Sequence, residues 1–130
     1  MLEHEWYHFA ILRKAVNSNH YDHLGWPTTW GSLGQAIRET GLNETARGPM
    51  DALMWMQGRK LIILKKTYSH GLGFTTYDYD EHPDKRSFFW GEFGIYVTPE
   101  GSAYFNELEA KARASMHVLP PKQNEIGFHA

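Results

Sequence analysis

The sequence predicts an α+β fold in which helices flank an antiparallel β-wing. Three observations lead there. Apolar residues recur at helical spacing over 3–18, 29–40 and 49–57. Extended runs of apolar, β-branched and aromatic residues occupy 61–97, broken by turns containing glycine or proline. The triplet Thr98-Pro99-Glu100 then opens a last helix with a cap, a residue preset for the first helical position and a carboxylate at the positive end.

The first helix, 3–18, carries Trp6, Phe9, Ile11, Leu12, Ala15 and Val16 on a broad apolar side. Arg13 and Lys14 sit late, where the helix end is negative, and Asn17, Ser18 and Asn19 stop it. NHYDHLGWP, 19–27, reads as a loop whose Pro27 forces Trp26 into an extended form. Thr28 or Thr29 caps the second helix, and Trp30, Leu33, Gly34 and Ile37 make one face of it. Gly41 supplies the left-handed residue that ends it, with Leu42 as the apolar contact that follows.

A third helix capped by Asn43 or Thr45 would carry Pro49 in its interior. A start at Gly48 makes Pro49 the first helical residue, where a missing amide costs nothing, so the expected helix is 49–57 with Gly58 as its stop. On its wheel Ala46, Pro49, Leu53 and Met56 share one side, and Arg47, Asp51, Met54 and Trp55 the other. The wing follows. Residues 61–68 form one strand, HGLG at 70–73 a turn, 74–80 a second strand, EHPDKRS at 81–87 a polar turn, and 88–97 a third extended run. This arithmetic fits either a three-stranded meander or one hairpin with a large tip. The last helix, 98–115, has Tyr104, Phe105, Leu108 and Ala112 as its stripe. One domain over 1–116 results, with 117–130 as a flexible or partner-bound tail carrying Pro120 and Pro121.

A chain of 130 residues that is 42% hydrophobic is long enough for a core that needs no metal or disulfide. The absence of cysteine excludes thiol catalysis, zinc fingers and disulfide scaffolds. No apolar run reaches membrane-spanning length and the acidic, interrupted start is unlike a signal peptide, so a cytoplasmic protein without membrane attachment is expected. The net charge of −2 means that any nucleic-acid contact depends on a local basic patch.

SLGQAIRETGLNET followed by a helix and GRKLIIL resembles the helix-turn-helix and first wing strand of winged-helix proteins. GIYVTPEGSAYFNEL resembles the second wing strand and closing helix of bacterial winged-helix transcriptional regulators, so the likeness spans about 28–115. The resemblance implies a winged helix, with a three-helix core, an antiparallel β-wing and a closing C-terminal helix. It also implies a small dimeric transcriptional regulator that binds double-stranded DNA, with helix three in the major groove. The DNA-binding candidates are then Thr45, Arg47, Asp51 and Trp55 on or before helix three, Arg59 and Lys60 behind it, and Lys65, Lys66, Lys85 and Arg86 on the wing. Asp51 in that face, Met54 and Trp55 beside it, and Asp78, Asp80, Glu81 and Asp84 on the wing point the other way, to a protein–protein module that inhibits or adapts a larger complex.

Among the eight histidines, His4 and His8 lie one turn apart, and His20, Asp22 and His23 follow in the loop. They converge on a metal only if that loop folds back, and without an HExxH-type signature a surface scatter is the plainer expectation, with no metal or cofactor. Trp26, Trp30, Trp55, Tyr68, Phe88, Phe89 and Trp90 suit a core or dimer interface better than a ligand pocket. FFWGEF, 88–93, is apolar on both faces, and with helix one and the last helix it leads to an expected homodimer. No nucleophile–base pair or phosphate loop is present, Gly71, Gly73, Gly91 and Gly94 being spaced for turns, so no enzyme is expected.

Overall fold

The computed structural model describes residues 1–18, 25–43 and 47–116. Its elements run α1 (Glu3–Ser18), β1 (Gly25–Thr28), α2 (Trp30–Arg38), α3 (Arg47–Gly58), β2 (Ile62–His70), β3 (Gly73–Asp78), a 3-10 turn (Tyr79–Glu81), β4 (Phe93–Val97) and α4 (Pro99–Met116). The fold is α+β, four helices with a four-stranded antiparallel sheet in the order β1-β4-β2-β3. No helix among the described residues is long and apolar enough to cross a membrane. The expected tail, 117–130, lies outside the described residues.

The helix ends show which sequence signals are local. Thr29 caps α2 through a 3.1 Å bond from the Ser32 amide, and Gly41 takes φ 83° after it. Thr98 caps α4 by accepting from the Gly101 amide at 3.0 Å, while its hydroxyl also reaches the Lys60 carbonyl at 2.7 Å. Two boundaries differ from expectation. α3 begins at Arg47, two residues early, so Pro49 is its third residue. The cost is still nil, because the first four helical amides have no intrahelical acceptor. Gly58 does not supply the left-handed stop: Lys60 does, at φ 60°. The Lys60 amide reaches the Gln57 carbonyl at 3.1 Å and the Leu61 amide the Met56 carbonyl at 2.9 Å, a Schellman closure around a residue with a side chain.

α1 is the central helix. Every residue from Trp6 to Leu12 is buried, so its middle turns are covered on all sides. Around it close Leu33 and Ile37 of α2, Leu53 and Met56 of α3, Ile62 and Leu64 of β2, Phe93 and Ile95 of β4, and Leu108 of α4. The apolar surface of α1 is therefore used inside the chain and is not left for a dimer contact.

Of the two expected wings, the structure excludes the meander and keeps the pairing of the hairpin with a large tip: β4 pairs with β2, Leu64 opposite Ile95, while β3, inside that tip, flanks β2 on its other side. β1 falls in the stretch expected to be loop. Its four residues include Pro27, and they become a strand only through β4, which lies far along the chain. In this register Trp26 and Thr28 bond to β4, so the missing amide of Pro27 falls on the open edge, where strands accept proline. The run 88–97 is extended only from Phe93. Phe88 and Phe89 turn inward instead: Phe88 is fully buried against Tyr79, His82 and Phe93, and Gly91 reverses the chain at φ 74°. FFWGEF thus covers itself, apart from Trp90.

Candidate interaction surface on helix three and the wing

On α3 the buried residues are Pro49, Ala52, Leu53 and Met56. Arg47 and Asp51, four apart on the exposed side, pair with each other at 3.4 Å. Trp55 is not an open reading residue. Its ring stacks on His8 at 4.7 Å, tilts against Tyr104 at 5.8 Å and carries the Arg59 guanidinium at 3.8 Å from its centroid. A groove of about 390 Å³ between α1 and α3 is lined by Glu3, His4, Tyr7, His8, Asp51 and the edge of Trp55. Tyr7 donates its hydroxyl proton to the Asn43 carbonyl, tying α1 to the chain entering α3. Gly48 packs on the Tyr7 ring so closely that a Cβ there would lie 2.8 Å from it.

His8 is 2% exposed, and its Nδ1 lies 2.7 Å from the Tyr104 hydroxyl. Burial, with His4 beside it, pushes its pKa down to about 4, and burial pushes Tyr104 up to about 12. Both are neutral at pH 7. His4 and His8 meet edge to face with centroids 5.5 Å apart. Among the described residues no group of three or more histidines and carboxylates is arranged to hold a metal ion. His20, Asp22 and His23 lie outside the described residues, as do Thr45 and Ala46.

On the wing the expected phosphate-binding lysines separate. Lys60 pairs with Asp80 at 3.6 Å and Lys65 with Asp78 at 3.4 Å, both on the surface. Lys85 donates to the Asp80 carbonyl at 3.2 Å and lies over the Tyr79 ring. Arg86 is exposed. Lys66 corrects the sequence reading outright: it is 6% exposed, and its ammonium donates to the carbonyls of Trp90 and, at 3.1 Å, Glu92. Burial lowers its pKa. The reason is position: Lys66 lies on the same face of β2 as Ile62 and Leu64, and the connection after β3 folds back over it.

That connection is pinned by His82, which is not one of the surface histidines expected from the sequence. His82 is 5% exposed, and its Nδ1 accepts from the Asp84 amide at 3.0 Å. Its Nε2 is then the protonated nitrogen of the neutral ring and donates to the Tyr68 hydroxyl at 2.5 Å. Alternation along β2 puts Lys66 on the inner face, a signal available in the sequence. Nothing local marks His82. Among the described residues the most exposed large apolar side chains are Leu72 at 96% and Phe74 at 77% on the β2–β3 hairpin and Trp90 at 72% on the return, followed by Leu2 ahead of α1.

No protein-family profile, curated protein or solved structure matches this chain.

Proposed function

We propose that this chain is a winged-helix protein-interaction module that contacts its partner through the wing, and not a DNA-reading regulator. The winged-helix part of the reading is supported by connectivity: helix, strand, two helices, then strands ordered with the first beside the last, β1-β4-β2. The single observation that carries the interaction part is the compensation of the basic residues. Of those that would meet phosphate, Arg47, Lys60 and Lys65 each have a carboxylate within 4 Å, Lys66 is buried and Arg59 lies on the Trp55 ring, which among the described residues leaves Lys85 and Arg86 on the surface without a carboxylate partner. Exposed ion pairs are weak and a phosphate can displace them. The carboxylates stay in place, however, and the local field remains near neutral in a chain of net charge −2. Affinity for DNA comes mainly from uncompensated positive charge. Leu72, Phe74 and Trp90 offer the apolar anchors that protein contacts use.

The test is a gel shift on random duplex at low salt with the protein at about 10 μM, where even non-specific binders are retained. No retained complex is expected. A complex that weakens with Lys65→Ala and falls steeply with salt would restore the DNA reading.

A further inference from the structure

The two edges of the sheet are treated differently. β1 is four residues long and presents Pro27, which blocks further pairing. β3 is six residues, Gly73–Asp78, with no proline and no lysine. Its hairpin closes on Gly71 and Leu72, so His70 and Gly73 exchange backbone bonds, as do Tyr68 with Thr75 and Lys66 with Tyr77. The amides and carbonyls of Phe74, Thr76 and Asp78 therefore face away from β2, and among the described residues no strand lies beyond them. Phe74 and Thr76 are both exposed.

We propose that β3 pairs antiparallel with β3 of a second copy of this chain, Phe74 opposite Phe74 across a two-fold axis. Identical antiparallel strands are self-complementary, so one surface serves as both halves of the contact. Charge permits it: the only charged residue of β3 is Asp78, which Lys65 holds at 3.4 Å. Burial selects the register. An axis perpendicular to the sheet keeps the outer faces together, so centring on Phe74 sets the two exposed rings side by side and places Leu72 opposite Thr76. This covers the two most exposed large apolar side chains in the described residues, Leu72 and Phe74. Registers centred on Thr75 or Thr76 leave each Phe74 beside a polar residue. The paired stretch of β3 is short, residues 73–75 with Leu72 of the turn beside Thr76, so the dimer forms at micromolar concentration or above. The inference rests on the wing being the contact surface. It is read by a disulfide, so its failure is separable from that of the DNA result.

The chain has no cysteine, which makes a cross-link test clean. In a hydrogen-bonded antiparallel pair opposed Cα atoms lie about 5.5 Å apart, within disulfide reach. Phe74→Cys should therefore give a covalent dimer under mild oxidation. Thr76→Cys should stay monomeric in denaturing gels, since the two copies of residue 76 lie roughly 13 Å apart in this register. In sedimentation at about 10 to 200 μM, wild type should move from monomer towards dimer. Thr76→Pro, which removes the outward amide and, on the exposed face, the hydroxyl contact with Thr67 at 2.8 Å, should stay monomeric with its far-UV spectrum close to that of wild type and only a small drop in thermal midpoint. The proposal is overturned by a wild type that is monomeric throughout, by Thr76→Cys cross-linking as well as Phe74→Cys, or by a folded Thr76→Pro that dimerises like wild type.

Discussion

Trp55 and Phe74 are both large aromatics on elements that a winged-helix reading sends towards a partner, yet their surroundings are opposite. Trp55 has His8 on one face and Arg59 on the other, with Tyr104 at its side. Phe74 is 77% exposed on a strand edge, and its nearest structural support is the hairpin ladder itself. Aromatic character therefore says little about role. What separates the two is whether the chain supplies the second surface. α1 and α4 supply it for Trp55, and among the described residues nothing supplies it for Phe74.

The largest expected difference between the regions is at glycine. A Cβ on Gly101 would lie 1.9 Å from the Leu61 carbonyl oxygen, which also accepts the Thr98 amide at 3.1 Å. Backbone faces backbone there and α4 would have to move. Gly101→Ala should cost about 3 kcal/mol or more in urea unfolding. Gly71→Ala at the hairpin, where nothing lies within 4 Å, should stay within about 0.5 kcal/mol.

The next contrast is pH. The His8 pKa is depressed from 6.5 to about 4 in the folded chain. Below pH 6.5 the unfolded chain takes up a proton that the folded chain refuses. Stability from this residue is complete above that pH and falls as pH drops towards 4, by about 3 kcal/mol in all. Unfolding free energies at pH 7 and 4.5 should differ accordingly, and His8→Gln should flatten the difference. An unchanged slope in His8→Gln would mean that another group is responsible.

Adjacent lysines sharpen the comparison within the wing. Lys66→Ala leaves the carbonyls of Trp90 and Glu92 without their donor and opens a hole under the return connection, so a loss of about 2 kcal/mol is expected. Lys65→Ala, which breaks only its surface pair with Asp78, should cost less than about 0.5 kcal/mol. Equal losses in thermal melts would erase the distinction between the two faces of β2. The smallest effect is at Lys60, held at φ 60°. Lys60→Gly relieves the left-handed strain while giving up the pair with Asp80, for a net gain of roughly 0.5 kcal/mol. A lower thermal midpoint in that variant would place the ion pair above the backbone strain.

Features that depend only on neighbours along the chain are legible in the amino-acid order. Thr29, Gly41 and Thr98 could be read because a cap bonds to an amide three residues on and a left-handed stop closes on the turn just before it. The core stripes of α2 and α4 were legible for the same reason, since helical period alone places Leu33 and Ile37, or Phe105 and Leu108, on one face. Tertiary structure decided the rest. The strand at Gly25–Thr28 exists only because Phe93–Val97 pairs with it, the burial of α1 on all sides depends on three other helices, and the place of β3 on the far side of β2 has no local signal. The candidate site divides along the same line. Sequence named Arg47, Asp51, Trp55 and the wing lysines as chemically able. Only folding showed that Lys66 and Trp55 are spent on internal contacts, that Lys60 and Lys65 face carboxylates brought from β3 and the turn after it, and that Phe74 is left uncovered. Pairing and burial are set by residues far apart in sequence, and no local pattern encodes which of them will meet.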